Sequence, residues 1–320
     1  MIQLDYLQLN FRLKALQPGQ LPPYKGSLLR GVFGHALKKL CCTHDGKCQA
    51  CPLIENCSYA YIFETHQSTL KNNLPRAYCP HPFLIDAYAT TKTNYSPGDE
   101  LEFTLTLFGH KSITLVELFI KAFDLAAKKG LGTNSIPFEL GSVELIGEKD
   151  PTIWSKEHGI IQNIPFQNLN PFFNHSQNQA QDLLLINFIT PTKLIEKNRN
   201  VQTITFHILM KAILRRLDML TKAHGVVDLD IDYKKLLAAA EEVKIEMAQL
   251  KGDQMVRYSN RQKSRVELNG LTGKVLYKGD DFTEFMPYLK VAEIIHIGKG
   301  TVMGLGKFRL HPSIIHLESS

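Results

Sequence analysis

Successive segments of the chain show the hydrophobic period of a strand or of a helix, and the order of these segments repeats. Apolar residues alternate with polar ones from residue 4 to 13, which predicts a strand. They recur at helical spacing from Ser27 to Leu40, with Ser27 as the expected N-cap. The other elements predicted in the first half are strands at 83–90 and 101–108, a helix at 114–129 and a strand at 138–146. The first half is therefore predicted to run strand, helix, two strands, helix, strand.

The same order returns after a stretch without a sustained period. Residues 148–181 are rich in Asn, Gln and Pro and predict a linker or long excursion. The elements predicted beyond it are a strand at 182–190 that ends at Pro191, helices at 203–223 and 233–250, a hairpin of 254–268 with 273–277 that turns at Asn269-Gly270, a helix at 282–294 and a strand at 307–315. We predict an α+β fold of two tandem ferredoxin-like domains, 1–147 and 182–320, the second with a C-terminal glycine-rich loop.

Composition and charge narrow the classes of function. The 320 residues suit two domains, and 37 Lys and Arg against 31 Asp and Glu give a net charge of +6, which suits an anionic partner such as nucleic acid. Apolar stretches fall short of the roughly 18 residues that a membrane span needs. The N-terminus lacks the basic and apolar regions of a signal peptide. We expect a cytoplasmic protein with no membrane contact.

Cysteines are clustered between Cys41 and Cys57. The spacing Cys42-x5-Cys48-x2-Cys51-x5-Cys57 supplies four thiolates, and in a reducing cytoplasm this predicts a structural metal site. Tetrahedral zinc is the expected occupant, and an iron–sulfur cluster uses the same ligands. Cys41 can replace Cys42, and unliganded thiols are the remaining alternative. Because four sulfurs leave no open position for substrate, we expect no cofactor in catalysis.

Four glycines and two lysines lie close together near the C-terminus, in the segment 298–307 that we call the glycine loop. They are Gly298, Lys299, Gly300, Gly304, Gly306 and Lys307. Such a segment offers a phosphate chain backbone amides and positive charge, although a flexible turn is the alternative. The spacing matches neither a nucleoside-triphosphate loop nor a dinucleotide fingerprint, so ATP and NAD are not expected.

Five segments carry a resemblance to a known family. They are LPPYKGSLLRGVFGHAL at 21–37, CSYAYIFET at 57–65, FITPTKL at 188–194, RQK at 261–263 with LNGLTG at 268–273, and the glycine loop. Together they resemble the RAMP superfamily of CRISPR-associated RNA-binding proteins, and within it the endoribonucleases that cut precursor CRISPR RNA in its repeats. The resemblance implies tandem ferredoxin-like domains, binding of repeat RNA, and metal-independent cleavage that leaves a 2′,3′-cyclic phosphate and a 5′-hydroxyl.

The resemblance also implies a catalytic histidine in or just after the first helix. His35 is the first candidate, because a helical wheel places it at the margin of the apolar face beside Gly31. The alternative is that His35 only borders the core or bonds to a strand carbonyl. His44 is the second candidate, with a metal ligand or an exposed loop residue as its alternatives, and His66 is the third. Tyr24 is the expected helper, unless it is only packed.

Basic residues are the expected RNA contacts outside the glycine loop. Lys25 and Arg30 lie in the segment that carries the resemblance. Four more form a run that predicts an RNA-binding hairpin or, alternatively, a solvated sheet edge. They are Arg257, Arg261, Lys263 and Arg265.

Three functions compete at this point. The leading one is an endoribonuclease that produces guide RNAs, and the second is a non-catalytic RAMP subunit that binds guide RNA in a CRISPR effector complex. The third, a zinc-stabilised protein-interaction module, needs neither the glycine loop nor the basic run. Repeat RNA is therefore the expected partner, with other CRISPR subunits and a homodimer as further candidates.

Overall fold

The computed structural model describes residues 3–44, 48–65, 79–148, 151–161, 163–174, 181–227, 231–253, 256–259 and 264–311. The strands up to residue 174 are β1 Asp5–Ala15, β2 Gly19–Gln20, β3 Phe83–Asp86, β4 Asn94–Tyr95, β5 Glu100–Phe108, β6 Phe138–Leu145, β7 Thr152–Ser155, β8 Gly159–Ile160 and β9 Gln167–Asn168. The helices of this half are α1 Gly26–Cys41, α2 Ser58–Ile62, α3 His110–Thr114, α4 Val116–Lys129 and α5 Pro171–Asn174.

The second half begins with the next strand. Its strands are β10 Leu183–Thr192, β11 Ile195–Glu196, β12 Arg199–Asn200, β13 Lys244–Asp253, β14 Val256–Ser259, β15 Ser264–Glu267, β16 Gly270–Lys278 and β17 Phe308–His311. Its helices are α6 Phe206–His224, α7 Tyr233–Glu242 and α8 Met286–Ile295. In the described ranges, no helix is both long enough and apolar enough to cross a bilayer.

Both halves have the same sheet topology. The main strands are ordered β3-β5-β1-β6 in the first half and β13-β16-β10-β17 in the second, and all these pairs are antiparallel. In chain order each sheet reads second, third, first and fourth strand, with a helix after the first strand and another before the fourth. This is the ferredoxin-like arrangement, so the predicted fold class is confirmed.

Strand β1 of the first sheet alternates between buried and more exposed residues. The residues of β1 that face α1 and α4 are fully buried, and they are Leu7, Leu9, Phe11 and Leu13. The stretch 148–181, predicted as a linker or excursion, adds β7 and β8 beyond β6 and pairs β9 with the start of β1. The first sheet therefore continues past the four strands that its period predicts.

An apolar cluster separate from the cores of the two halves joins them. Leu4 and Phe108 of the first half pack with Leu217 and Leu220 of α6 and Ile295 of α8. The helices of the second half thus lie between its own sheet and one corner of the first sheet. Apolar contacts, rather than a flexible tether alone, set the relation between the two halves.

Residues 233–250 do not form one helix, so that prediction is wrong in its second part. α7 ends at Glu242 and β13 begins at Lys244, where it pairs with β16 over its whole length. Ile245 and Leu250 face the core while the strand stays exposed elsewhere. Long-range pairing with β16 outweighs the helical pattern of charges. The predicted turn at Asn269-Gly270 is also wrong, because Gly270 is the first residue of strand β16.

Two predicted element ends are also wrong. α1 begins at Gly26 with Lys25 before it, and no side chain caps it, so Ser27 is not its N-cap. β10 continues through Pro191 to Thr192. Pro191 lies in the stretch where the register with β16 shifts between Phe188 and Thr192, where a missing amide is tolerated.

Candidate functional site

Helix α1 presents His35 to solvent. Its buried residues include Leu29, Phe33 and Leu37, and the ring of Phe33 stacks on Phe123 of α4 at 4.8 Å between centroids. The opposite face of the helix is therefore exposed, and His35 lies on it. An exposed imidazole is available for proton exchange with a bound molecule.

The surroundings of His35 are open and basic. Among the residues that the structure describes, and apart from the helix's own nearby backbone, nothing lies within 4 Å of the position that a Cβ would take on Gly31, one turn earlier on the same face. Lys38 and Lys39 are exposed on the following turn. Gly34, by contrast, packs against Phe63, since an added Cβ would lie 2.3 Å from the ring. Of the two glycines, Gly31 is the one with open space beside it.

The glycine loop packs against the start of α1. The hydroxyl of Tyr24 donates a hydrogen bond to the Met303 carbonyl, and a Cβ on Gly26 would lie 2.0 Å from that same oxygen. Gly304 packs on β3 in the same way, since an added Cβ would lie 2.8 Å from the Ile85 carbonyl oxygen, and its φ of +86° favours glycine. Tyr24 holds the two halves together here, which does not match the predicted role as a catalytic helper.

Lys25 is buried, which contradicts its prediction as an RNA contact. Its side chain is fully covered, and Nζ donates to the Thr90 carbonyl at 2.8 Å. Burial lowers the pKa of Lys25 to about 8. The nearby Tyr95 ring lies 5.9 Å from Nζ, close enough for a weak cation–π contact. Lys25 therefore stabilises the segment before α1.

Only part of the glycine loop faces solvent. Gly298 and Lys299 are exposed, whereas Gly304 and Gly306 are buried. Several of its amides already donate within the protein. These are the amides of Lys299 to Lys193, Gly304 to Thr301, Gly306 to Pro191 and Lys307 to Thr190. The interpretation of the whole loop as an open phosphate cradle is therefore too broad, and Lys299 is its accessible cation.

Lys307 makes a largely buried ion pair across the two halves, which does not match its prediction as an RNA contact. Its Nζ lies 2.5 Å from Asp86 Oδ2, and the two side chains are 19% and 11% exposed. Burial alone raises the pKa of Asp86, but His296 and Lys307 outweigh burial and leave that pKa below its ordinary value. His296 is buried beside them, and burial lowers its pKa to about 4, so the imidazole is neutral near pH 7.

A half-buried polar cluster beside α1 has no local signal in the sequence. His81 Nδ1 lies 3.1 Å from Thr65 Oγ1, and its Nε2 lies 3.4 Å from the Arg30 guanidinium. Arg30 also covers the Phe63 ring at 4.5 Å. The sequence predicts a role for Arg30 as an RNA contact. It gives no signal for His81, because the partners of His81 are brought to it only by the fold.

The cysteines of the predicted metal site line one small cavity. Cys42, Cys48, Cys51 and Cys57 surround about 20 Å³ together with His44. Cys41 does not line it, and burial with the nearby thiols raises the pKa of Cys41 to about 11. Among the residues that the structure describes, no three His, Cys, Asp or Glu side chains are placed to hold a metal ion together.

The basic run lies on a second hairpin. Arg257 is in β14 and Arg265 in β15, and these two strands pair with each other. Arg261 and Lys263 lie outside the described residues, as does His66. Whether the run shares one face stays a prediction.

Family models match both halves of the chain. The AF_1859_N model, described as an N-terminal domain, matches residues 4–166, and the model described as CRISPR-associated endoribonuclease Cas6 matches residues 186–308. Residues 186–308 therefore belong to the Cas6 family. Among curated proteins, no significant match is found.

Solved Cas6 structures share the fold of this chain. A partial Cas6-RT-Cas1–Cas2 complex is 13% identical with a TM-score of 0.60, and the match covers 98% of this chain and 48% of that one. A Cas6 product complex is 14% identical, with coverage of 96% and 100% and a TM-score of 0.56. Cas6 from Thermus thermophilus is 13% identical, with coverage of 97% and 99% and a TM-score of 0.54. The chain thus spans about half the length of the first of these and the whole length of the others.

Proposed function

We propose that this chain is a Cas6-type endoribonuclease that cuts CRISPR precursor RNA within its repeats. The family description and the presence of a product in a solved Cas6 complex support the substrate class. The observation that carries the proposal is the exposed His35 on α1, beside the open position at Gly31 and the cations Lys38 and Lys39.

The reaction needs no metal ion in this proposal. Each 2′-hydroxyl of RNA lies beside its own phosphorus, so attack is intramolecular once the backbone is held in line. As the 2′-oxygen bonds to phosphorus, the 5′-oxygen leaves, and the products are a 2′,3′-cyclic phosphate and a 5′-hydroxyl. His35 would move a proton at one of these oxygens. Lys38 or Lys39 would stabilise the charge on the phosphate oxygens in the transition state.

Cleavage in EDTA tests this function. The purified chain is incubated with its own repeat RNA in excess EDTA, and the product ends are identified by phosphatase sensitivity and mass. We expect one cut that leaves a cyclic phosphate. Binding without any cut would contradict the proposal and would favour a non-catalytic RAMP subunit that holds guide RNA among other CRISPR proteins.

We further propose that the cysteine cluster holds a structural zinc ion. Support comes from the four thiols that line one cavity of about 20 Å³, which is enough for a single water-sized species. As described, no three of these side chains are placed to hold an ion together, so the thiols would have to close on the metal as it binds. A closed four-sulfur site would stabilise a polar loop that apolar packing does not hold. His44 lines the same cavity, which favours a role near the metal over one in catalysis.

Metal content and stability are expected to fall together in Cys48→Ser. Elemental analysis of the wild-type chain should give close to one zinc per chain, and the variant should lose most of it and melt at a lower temperature, because metal binding contributes to folding free energy. Cys79→Ser is the matched control, since Cys79 does not line the cavity. Iron with visible absorbance would overturn zinc, and equal loss in both variants would overturn the site.

A further inference from the structure

The sheet of the second half buries one face and leaves the other open. Tyr277 lies on the buried face, where its ring contacts Phe206 of α6 at 5.3 Å between centroids. Directly opposed residues of antiparallel strands point to the same side, and successive residues alternate. The register therefore assigns the open face to the residues on either side of Tyr277, starting with Leu276 and Lys278.

Cations occupy this face in rows. The opposed pairs on it are Lys244 with Lys278, Gln249 with Lys274, and Asn187 with both Lys274 and Arg309, while the exposed Lys251 is opposed to Thr272, which is itself buried. Between the first two rows lies an apolar row of Met247, Leu276 and Leu185, which belongs to none of the apolar cores. We call Lys244, Lys251, Lys274 and Lys278 the lysine face.

The charges of the lysine face are not neutralised. All four lysines are exposed, and none makes an ion pair within the described ranges. Some exposed lysines elsewhere are paired, and Lys121, for example, pairs with Glu117 at 2.7 Å. Carboxylates near the face are few. Glu246 lies at the bulge of β13, Asp253 lies at its far end, and Glu293 is held by Arg309 at 3.6 Å.

Two of these lysines repel each other. Lys244 and Lys278 are direct partners across β13 and β16, and like charges in that position destabilise a sheet. A bound polyanion removes this repulsion. Charge complementarity therefore points to a negatively charged occupant for the face.

We propose that the lysine face binds the phosphate backbone of single-stranded RNA that flanks the cut repeat, an inference that rests on the proposed endoribonuclease function. Lys278 and Lys274 are separated by about 13 Å along the strand, so one extended backbone contacts both rows. The apolar row contacts sugars and bases between them. The paired positions of the face include His311, opposite Leu185, but no Phe, Tyr or Trp, so phosphate contacts rather than stacking on a row of aromatic rings carry the binding.

The salt dependence of binding tests the lysine face. Lys244→Gln, Lys274→Gln and Lys278→Gln are combined, and affinity for repeat RNA with a single-stranded flank is measured between about 50 and 200 mM salt. Three lost phosphate contacts should lower the log–log slope by about 2, at about 0.7 for each contact. Single-turnover cleavage at saturating protein should stay at the wild-type rate. The control combines Lys14→Gln, Lys129→Gln and Lys234→Gln, three exposed lysines on other surfaces.

Lys278→Glu gives a second readout that separates binding from folding. The new carboxylate faces Lys244, so this variant should melt no lower than wild type while binding flanked RNA more weakly than Lys278→Gln does. A wild-type chain that binds without cutting, together with a reduced slope in the triple variant, would end the endoribonuclease proposal and keep the lysine face. If the wild-type chain cuts RNA and the triple variant keeps the wild-type slope, the RNA-binding proposal for the lysine face is overturned and the endoribonuclease proposal stands. The lysine face would then be assigned to the binding of an acidic protein surface.

Discussion

Replacing His35 by alanine is expected to slow cleavage of repeat RNA by about 10²–10⁴-fold, because proton transfer by a positioned side chain contributes about that much. The dissociation constant for the repeat should stay within a few-fold of wild type, since the phosphate contacts of the cations remain. Single-turnover kinetics at saturating protein measure the first quantity and filter binding the second.

The control for this experiment is His158→Ala. His158 is exposed like His35 but lies in the turn between β7 and β8 and contacts only Ser155 among the described residues. Cleavage by this variant should equal that of wild type. Near-wild-type cleavage by His35→Ala would instead transfer the catalytic role to His44 or His66.

Removing the Asp86 carboxylate is expected to lower the free energy of unfolding by about 3–5 kcal/mol, because Lys307 then keeps a buried charge without its partner. Urea unfolding of Asp86→Ala measures the change. The same substitution at Glu196, which pairs with Lys211 at 2.8 Å nearer the surface, should cost no more than about 1 kcal/mol.

The double variant Asp86→Ala with Lys307→Met checks the cause. It removes both charges, so much of the lost stability should return. Equal midpoints for Asp86→Ala and Glu196→Ala would show that the buried pair does not stabilise the junction. If Lys307 bound RNA instead, Asp86→Ala would leave the unfolding midpoint unchanged.

The period of apolar residues predicts most of the fold because most elements here bury one face of their own. The strand at β1 and the helix at α1 are found within two residues of their predicted bounds. β13 is the exception, since it is exposed on both sides except for a few core contacts and owes its conformation to pairing with β16. Long-range pairing of this kind leaves little trace in the local sequence.

The residues of the candidate site likewise fall into those that a local sequence pattern predicts and those that depend on long-range contacts. The exposure of His35 follows from the amphipathic pattern of its own helix, and the sequence predicts it. The role of Lys307 depends on Asp86, which lies 221 residues earlier, and no local pattern connects the two. His81 was missed because its contacts with Thr65 and Arg30 likewise form only in the folded chain.

The position of the glycine loop against the first half also determines the order in which surfaces become buried during synthesis. The first half can fold as soon as β6 has left the ribosome, because N-terminal domains generally fold first. Gly26, Ile85 and the Asp86 carboxylate then stay uncovered until residues 298–307 have been translated and reach them. A nascent chain stalled anywhere in the second half therefore exposes this surface and the apolar corner around Phe108, which are the places where a chaperone would bind it.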